Sequence, residues 1–522
     1  MKKDLDCLLI WPPFDFPDGI YSNLRTYEPP LGLLALAAYV REFDFSVGIL
    51  DCNMTFENTD AEFEQYIKEN YADVADEVKV VGFTTTTPTI YACYRMAEVC
   101  RKFFPNARIV LGGAHASFVP DEALDKPYVD AVALGEGEET LRELLAGVEY
   151  KDIRGLAYRE TVDGKVAFKR TFSRERIKSL DDLPMPAYDL VEVDKYRPIL
   201  GAFKRLPAMM MVSSRGCPWS CSFCRRPVGK MLTVKSAEKI YEEMKFLSDT
   251  YGIRDIAFQD DVFTVNHENV FRLCDMLIEK PLDIKWHCFA RVDIVTPELL
   301  KRMKEAGCWQ IMYGVENFNQ GVLDNLNKGL EVQQIFDGIK WTQEAKIEVR
   351  VCMMIGNPGD TEEIINQNIE FVKQINPDYL SMGILTPFPG HDMYNWALKE
   401  DRITTFDWDM YYGSTPIVKI DTLSPEDIKR LYRKMTFEVY FRPQYIWKKL
   451  KSVRSFTEFK MYSIGFLGLL HFFLEKFIYS FKSRKRVDRT EDQDFGPRDM
   501  TEEEIKRAIA LTSTATKQTS KT

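Results

Sequence analysis

The chain has 522 residues, enough for more than one domain, and its 45 % apolar and 28 % charged content is ordinary for a soluble globular protein. The formal charge of −10 argues against a general nucleic-acid binder, which would need a basic face. Met-Lys-Lys-Asp-Leu-Asp runs straight into the apolar stretch Cys7–Trp11, too short and too acidic for a secretory signal, so a cytoplasmic chain with reduced or metal-bound cysteines is expected.

The first 148 residues alternate short apolar runs with helical patterns. Strands are predicted at Cys7–Trp11, Val47–Asp51, Val78–Phe83, Arg108–Gly112 and Ala131–Leu134, and helices at Leu31–Phe43 and Thr89–Phe104. That alternation predicts a parallel sheet covered on both faces. Ligands of such sheets lie beyond the carboxyl ends of the strands. Thr84-Thr85, Gly112-Gly113 and Gly135-Glu136-Gly137 fall there. Glycines at strand ends let backbone approach a flat or phosphate-bearing ligand, although turns in any α/β domain contain them.

Residues 149–206 read as a connector. Asp163-Gly164 between two apolar runs predicts a hairpin, and Leu180 to Leu190 is proline-punctuated and extended. From 207 to 406, six further strands alternate with helices: Met209–Ser213, Ile253–Phe258, Trp286–Phe289, Gln310–Tyr313, Val349–Ile355 and Tyr379–Leu385. This predicts a βα barrel, open if it stops at six, with its chemistry at the carboxyl ends of the strands.

The first of those strands leads directly into Cys217, Cys221 and Cys224, spaced C-x3-C-x2-C. Three thiolates suit three corners of a cubane iron–sulfur cluster and leave the fourth iron open. A zinc site completed by a distant ligand is the alternative, but a second CxxC pair is lacking. The other eight cysteines (Cys7, Cys52, Cys93, Cys100, Cys274, Cys288, Cys308, Cys352) lie scattered, mostly in apolar segments where a thiol acts as a small hydrophobe. Further strand ends carry Gln259-Asp260-Asp261, Arg291, Gly314 with Glu316, and Gly356. Asp260 and Asp261 can accept from an ammonium, Arg291 can donate a fork to a carboxylate, and Glu316 can accept from ribose hydroxyls. Taken singly, Asp260 and Glu316 also suit helix N-termini.

Residues 407–486 form a helical region in which Phe437–Phe481 mixes aromatic, apolar and basic residues. Its central run is shorter than the roughly 20 residues of a spanning helix. An interfacial helix on anionic lipid and a helix packed on the barrel are both open readings. Residues 487–522 are polar and expected to be disordered beyond a short helix near Thr501–Leu511.

The cysteine run, with Phe223 before the third cysteine, resembles the signature of the radical S-adenosylmethionine superfamily. Gln259-Asp-Asp261, Gly314-Val-Glu316 and Met354-Ile-Gly-Asn-Pro-Gly359 resemble its further elements, with Asn317 in place of a usual serine. An α/β domain in front, with Pro29-Pro30-Leu-Gly32, Thr84-Thr85, Gly112-Gly113-Ala-His115 and Gly135-Glu-Gly-Glu138, is similar to the cobalamin-binding class of that superfamily. The resemblance spans roughly residues 5–445. It implies a Rossmann-like cobalamin-binding domain before a partial (β/α)6 barrel and a helical C-terminal extension. It further implies a [4Fe–4S] cluster on Cys217, Cys221 and Cys224, S-adenosylmethionine on the open iron and cobalamin on the first domain. A flavodoxin or ferredoxin type of electron donor and a small-molecule substrate follow. None of the five histidines has Asp two positions before it, so the D-x-H-x-x-G cobalt-binding motif is absent. His115 is read either as a ligand-side residue or as a loop histidine bonded to its neighbours. The implied reaction is methylation of an unactivated carbon of a lipid-like, tetrapyrrole or other secondary metabolite. An oxidative cyclase without methyl transfer and a non-catalytic cobalamin or metal sensor are the alternatives.

Overall fold

The computed structural model describes residues 4–14, 27–55, 60–162, 165–196, 198, 201–224, 228–453, 459 and 462–470. The helix expected near Thr501–Leu511 and the tail from 487 lie outside them. Two sheets dominate. The first has strands β1 (Cys7–Trp11), β2 (Val47–Asp51), β3 (Val80–Thr84), β4 (Arg108–Gly112), β5 (Ala131–Ala133), β6 (Leu156–Val162) and β7 (Lys165–Arg170), in the spatial order β2-β1-β3-β4-β5-β6-β7. Parallel pairing runs through β5. The β6–β7 hairpin, read from sequence as part of the connector, adds two antiparallel strands to this sheet, with Val132 opposite Ala157. Ala131 and Ala157, both fully buried, let those edges approach.

Helix α1 (Leu31–Arg41) buries Leu33, Leu34, Ala37, Ala38 and Val40, and helix α2 (Ile90–Phe103) buries Ile90, Cys93, Tyr94 and Ala97. The two helices contribute to separate apolar clusters, so β1 alternates Cys7 and Leu9 into one with Leu8 and Ile10 into the other. That alternation is the period-2 geometry of a strand buried on both faces. A helix not anticipated from sequence, α3 (Glu138–Leu145), packs beside α1 on Leu141, Leu144 and Leu145.

The second sheet has six parallel strands: β8 (Ala208–Met211), β9 (Asp255–Phe258), β10 (Lys285–Ala290), β11 (Cys308–Glu316), β12 (Glu348–Ile355) and β13 (Tyr379–Ile384). They follow chain order, and β8 and β13 are the unpaired edges, so the barrel is open. Outward residues such as Trp286, Cys288, Tyr313, Val349 and Val351 pack beneath the helices, including α4 (Ala237–Tyr251), in one large core. The other face of each strand lines the interior of the half-barrel, because side chains alternate. Helix α5 (Pro425–Tyr440), capped by Ser424 and Asp427, covers β13 through Ile428, Leu431 and Met435. Helix α6 (Pro443–Ser452) follows it.

Candidate functional site at the carboxyl ends of two sheets

The cysteine loop is fixed largely through its backbone. Ser214–Arg215 pairs antiparallel with Thr233–Val234. Gly216 has φ +90°, and a Cβ there would stand 2.3 Å from the Met231 carbonyl oxygen, so the turn requires glycine. The Ser222 amide donates to the Leu326 carbonyl, the Met393 amide donates to the Ser222 carbonyl, and Asn327 Nδ2 donates to the Ser220 carbonyl at 2.7 Å. Phe223 packs on Val322, Leu326, Leu385 and Met393.

Cys217 and Cys221 are half-buried and Cys224 is exposed, whereas seven of the other eight cysteines are buried and Cys352 is half-buried. Although solvent reaches Cys224, the atoms packed around its sulfur push the thiol up to about 12, reinforced by Asp261, Cys221 and Cys217, with Lys328 opposing. A thiol held up in this way ionises when a cation joins it, which fits a cluster iron at Cys224. Among the described residues, no three His, Cys, Asp or Glu side chains converge closely enough for one metal ion. Thiolates on separate irons of a cubane stand further apart than those converging on a single ion.

The strand-end groups surround this loop. Gln259 is half-buried and Asp261 exposed at the end of β9. Asp260, expected to meet the ammonium, is instead buried and accepts from the Ser213 amide at 2.7 Å and from the Ser213 hydroxyl. It latches β9 to the start of the cysteine loop, and burial raises its carboxyl above the usual range. Arg291 is also largely committed. Its Nε and Nη2 bond both oxygens of Asp293, and Nη1 and Nη2 donate to the Lys328 and Gly329 carbonyls. Its guanidinium also lies 4.5 Å from the centre of the Trp219 ring.

Glu316 has φ +66°, at a register shift in the β11–β12 pairing, and its Oε1 lies 3.0 Å from Lys328 Nζ. Burial opposes the charge of that ammonium, but Glu316 and then Cys221 outweigh it and raise Lys328 above its ordinary value. Neither Asp260 nor Glu316 begins a helix. A Cβ on Gly314 would stand 2.6 Å from Glu316 Oε1, so glycine leaves the carboxylate its place. Asn317 is the centre of a buried network: its Nδ2 donates to Asp360 Oδ1 and its Oδ1 accepts from Asn368. Asp360 in turn accepts from the amide of Asn357, next to Gly356 (φ +80°), and ties the two loops together.

In the first sheet, Thr84, Gly112, Gly113 and Gly135 present surface at the strand ends. Gly113 has φ +92°, and a Cβ there would lie 2.6 Å from the Thr85 carbonyl oxygen, whereas one on Gly135 would meet nothing within 4 Å. Backbone is therefore bare where a flat ligand would lie. Thr85 is fully buried and its hydroxyl donates to the Gly112 carbonyl at 2.7 Å. His115 has no exposed side-chain surface. Its Nδ1 lies 3.1 Å from Thr87 Oγ1, and its ring meets Trp408 edge-on at 5.1 Å. It is bonded to a neighbouring loop through Nδ1, while its buried Nε2 has no hydrogen-bond partner.

The Gly135–Gly137 loop joins the two sheets. Glu136 Oε1 accepts from Arg215 Nη1 at 3.1 Å and Glu138 Oε1 from Arg215 Nη2 at 2.6 Å. Glu136 Oε2 also accepts from the Ile177 amide. Glu136, expected to touch cofactor, thus holds the residue two positions before Cys217. Gly137 is pressed against Leu36 of α1. Arg215 and Lys328 were not singled out from sequence. The only signal was a basic residue beside the cysteine loop and a doubled acid in Gly-Glu-Gly-Glu, and side-chain reach across more than seventy residues is invisible to spacing.

Comparison with known proteins agrees with this geometry. Residues 211–372 match the Radical SAM superfamily model and residues 18–145 the B12 binding domain model. An uncharacterized methyltransferase of Pyrococcus horikoshii is 33 % identical over 86 % of this chain and 95 % of its own. The anaerobic magnesium-protoporphyrin IX monomethyl ester cyclase of Rubrivivax gelatinosus is 26 % identical over 88 % of this chain and 85 % of its own. The structure of the cobalamin-dependent S-adenosylmethionine radical enzyme OxsB, with aqua-cobalamin and S-adenosylmethionine bound, superposes with a TM-score of 0.67 at 17 % identity, covering 99 % of this chain and 80 % of that one. The radical S-adenosylmethionine methyltransferase TsrM from Kitasatospora setae gives 0.60 at 17 % identity over 82 % of each chain. The chain belongs to the cobalamin-binding radical S-adenosylmethionine enzyme family.

Proposed function

We propose that this enzyme transfers a methyl group to an unactivated carbon of a small molecule of lipid-like, tetrapyrrole or related secondary-metabolite class. The observation that carries the reading is the Arg215 bridge, which sets the bare glycine ends of the first sheet against the cysteine loop of the second. Two cofactor sites held together suit a substrate that must meet both. Cys217, Cys221 and Cys224 would hold the cluster, with Phe223 walling its inner side. Gln259 and Asp261 would accept from the ammonium of S-adenosylmethionine, and the one uncommitted N–H of Arg291 would donate to its carboxylate. Glu316, steadied by Lys328, and the backbone at Gly314 and Gly356 would receive the adenosyl part. Thr84, Gly112, Gly113 and Gly135 would underlie the corrin, with Thr85, Glu136 and Gly137 supporting them. When bound, the cofactors supply radical and methyl-transfer chemistry, while the protein positions them and excludes competing reactions.

Supporting names among relatives include the bacteriochlorophyllide d C-8(2)-methyltransferase of Chlorobaculum tepidum and the hopanoid C-2 methylase of Rhodopseudomonas palustris. The Rubrivivax cyclase favours ring closure as a second reading. Reconstituted protein with reductant decides between them. Methylation yields S-adenosylhomocysteine beside 5′-deoxyadenosine, and cyclisation yields no homocysteine product. Failure to cleave S-adenosylmethionine at all would favour a sensor. Comparing lipids and pigments with and without the protein, for a mass difference of one CH2, would locate the substrate.

We also infer a reducing partner of flavodoxin or ferredoxin type and peripheral contact with anionic lipid. No helix among the described residues is long and apolar enough to cross a membrane. Phe437, Trp447, Leu450 and Leu467 are each at least half exposed, with Lys451 over the Trp447 ring. Lys448, by contrast, bonds Asp378 and the Asn376 carbonyl. Co-sedimentation with anionic but not neutral vesicles is expected, and equal recovery with both would remove the lipid reading.

A further inference from the structure

The amino end of the half-barrel, opposite the cysteine loop, holds an unusual set of buried polar groups. Arg350 on β12 is 4 % exposed, yet its Nε and Nη2 have no hydrogen-bond partner. His287 on β10 and Gln310 on β11 are buried with it, and His287 Nδ1 and Gln310 Oε1 are likewise unpartnered. Gln310 and Arg350 meet at Gly201, and His287 stands opposite Gln310 in the β10–β11 pairing. Gln310 Nε2 donates to the Gly201 carbonyl, and a Cβ on Gly201 would stand 2.8 Å from Arg350 Nη2. The end is closed by Phe203 and Leu206, with Tyr462 packed against them.

Charge at this end is unbalanced. The Arg350 guanidinium lies 4.8 Å from the centre of the Tyr379 ring, and Lys449 Nζ lies 3.6 Å from the same centre. Neither cation has a carboxylate within ion-pair distance among the described residues, although Glu348 and Asp378, each paired with another lysine, act on Lys449 from further off. Of the nearby acids, Glu348 is taken by Lys204, although its Oε2 is unpartnered. Asp255 accepts from two amides and from Trp309 Nε1. A buried guanidinium without a counter-ion is strongly unfavourable, and stacking on a ring offsets only part of that. Its free Nε and Nη2 form the edge that grips an oxyanion through two parallel bonds.

We propose that the amino end of the half-barrel binds a compact oxyanion, of phosphate or carboxylate class, on Arg350 with His287 and Gln310. Arg350, His287 and Gln310 are each no more than 4 % exposed, so the anion is free and small rather than a chain-bearing headgroup. Being at the opposite end of the strands, the site is separate from the cofactor site, about 13 Å away along β10 at 3.3 Å per residue from His287 to Arg291.

Thermal unfolding of the full-length reconstituted protein tests this, with inorganic phosphate, acetate and chloride compared at equal ionic strength. A ligand that binds only the folded state stabilises it by mass action. A saturable rise of about 2 °C or more in phosphate or acetate over chloride is expected. Arg350→Met should lose that rise. Gln310→Glu supplies an internal carboxylate, so it should fold with a Tm at or above wild type and also lose the response. It keeps the test open if Arg350→Met fails to fold. No response beyond chloride in the wild type, meaning water only, or an undiminished response in either folded variant, would overturn the site. Cleavage of S-adenosylmethionine is not read, so the outcome is independent of the proposed reaction.

Discussion

The two ends of the half-barrel differ in how they hold buried charge. At the carboxyl end each charged group has a partner: Arg291 with Asp293, Glu316 with Lys328, Asp260 with Ser213, Arg215 with Glu136 and Glu138. At the amino end Lys204 pairs with Glu348 and Lys448 with Asp378, but the buried Arg350 guanidinium has no carboxylate partner among the described residues. The difference teaches that a pre-formed cofactor site fixes its side chains against one another before any ligand arrives, because orientation is what it contributes. A buried guanidinium without a carboxylate is where an anion from solution would be taken up.

The sharpest way to break this contrast is at the cysteines. Cys217→Ala should lower bound iron and reduce 5′-deoxyadenosine formation to background, whereas Arg350→Met should leave cleavage within about twofold if the ends are independent. Unchanged iron and cleavage in Cys217→Ala would sink the cluster assignment. Next in size, the pair Glu136→Gln with Glu138→Gln strips Arg215 of both counter-charges. A loss of about 3–5 kcal/mol in denaturant unfolding is expected, and a loss under 1 kcal/mol would mean that the bridge contributes little.

The amino end has its own pH signature. Burial, with the Arg350 charge, depresses His287 from 6.5 to about 3. It stays neutral in the fold but charges in the unfolded chain, so its contribution is complete above pH 6.5 and lost as pH falls toward 3. Asp255 acts with the opposite sign: burial pushes it up to about 7, so protonation below that favours the fold. Comparing His287→Gln with wild type isolates the histidine. The variant should be spared about 3 kcal/mol of the wild-type loss between pH 6.5 and about pH 4, and parallel curves would refute a neutral buried imidazole.

Gly113→Ala should cost about 1–3 kcal/mol, since its φ and the Thr85 carbonyl both oppose a Cβ. It should also weaken cobalamin retention on gel filtration, and full retention would place the corrin elsewhere. Smallest is Trp447→Ser, on a side chain 60 % exposed. Stability should move by less than about 0.5 kcal/mol while vesicle binding falls.

Periodicity and punctuation sufficed for the strands. Those of both sheets begin and end within a few residues of the expected positions, because an apolar run closed by glycine or an acid is a local signal. The edge hairpin pairs as Asp163-Gly164 implied, though that turn itself lies outside the described residues. Joining β5 was not local and could not be read. The same division runs through the site. The spacing of Cys217, Cys221 and Cys224 by itself pointed to a cluster loop, since three candidate ligands within one loop need no tertiary context. Only the fold decided that Asp260, His115 and Glu136 turn inward as latches, that Lys328 arrives beneath Glu316, and that Arg350 is left without a counter-ion. Those outcomes depend on which side chains a twisted parallel sheet brings together from distant segments, and hydrogen bonding across that distance has no counterpart in sequence order.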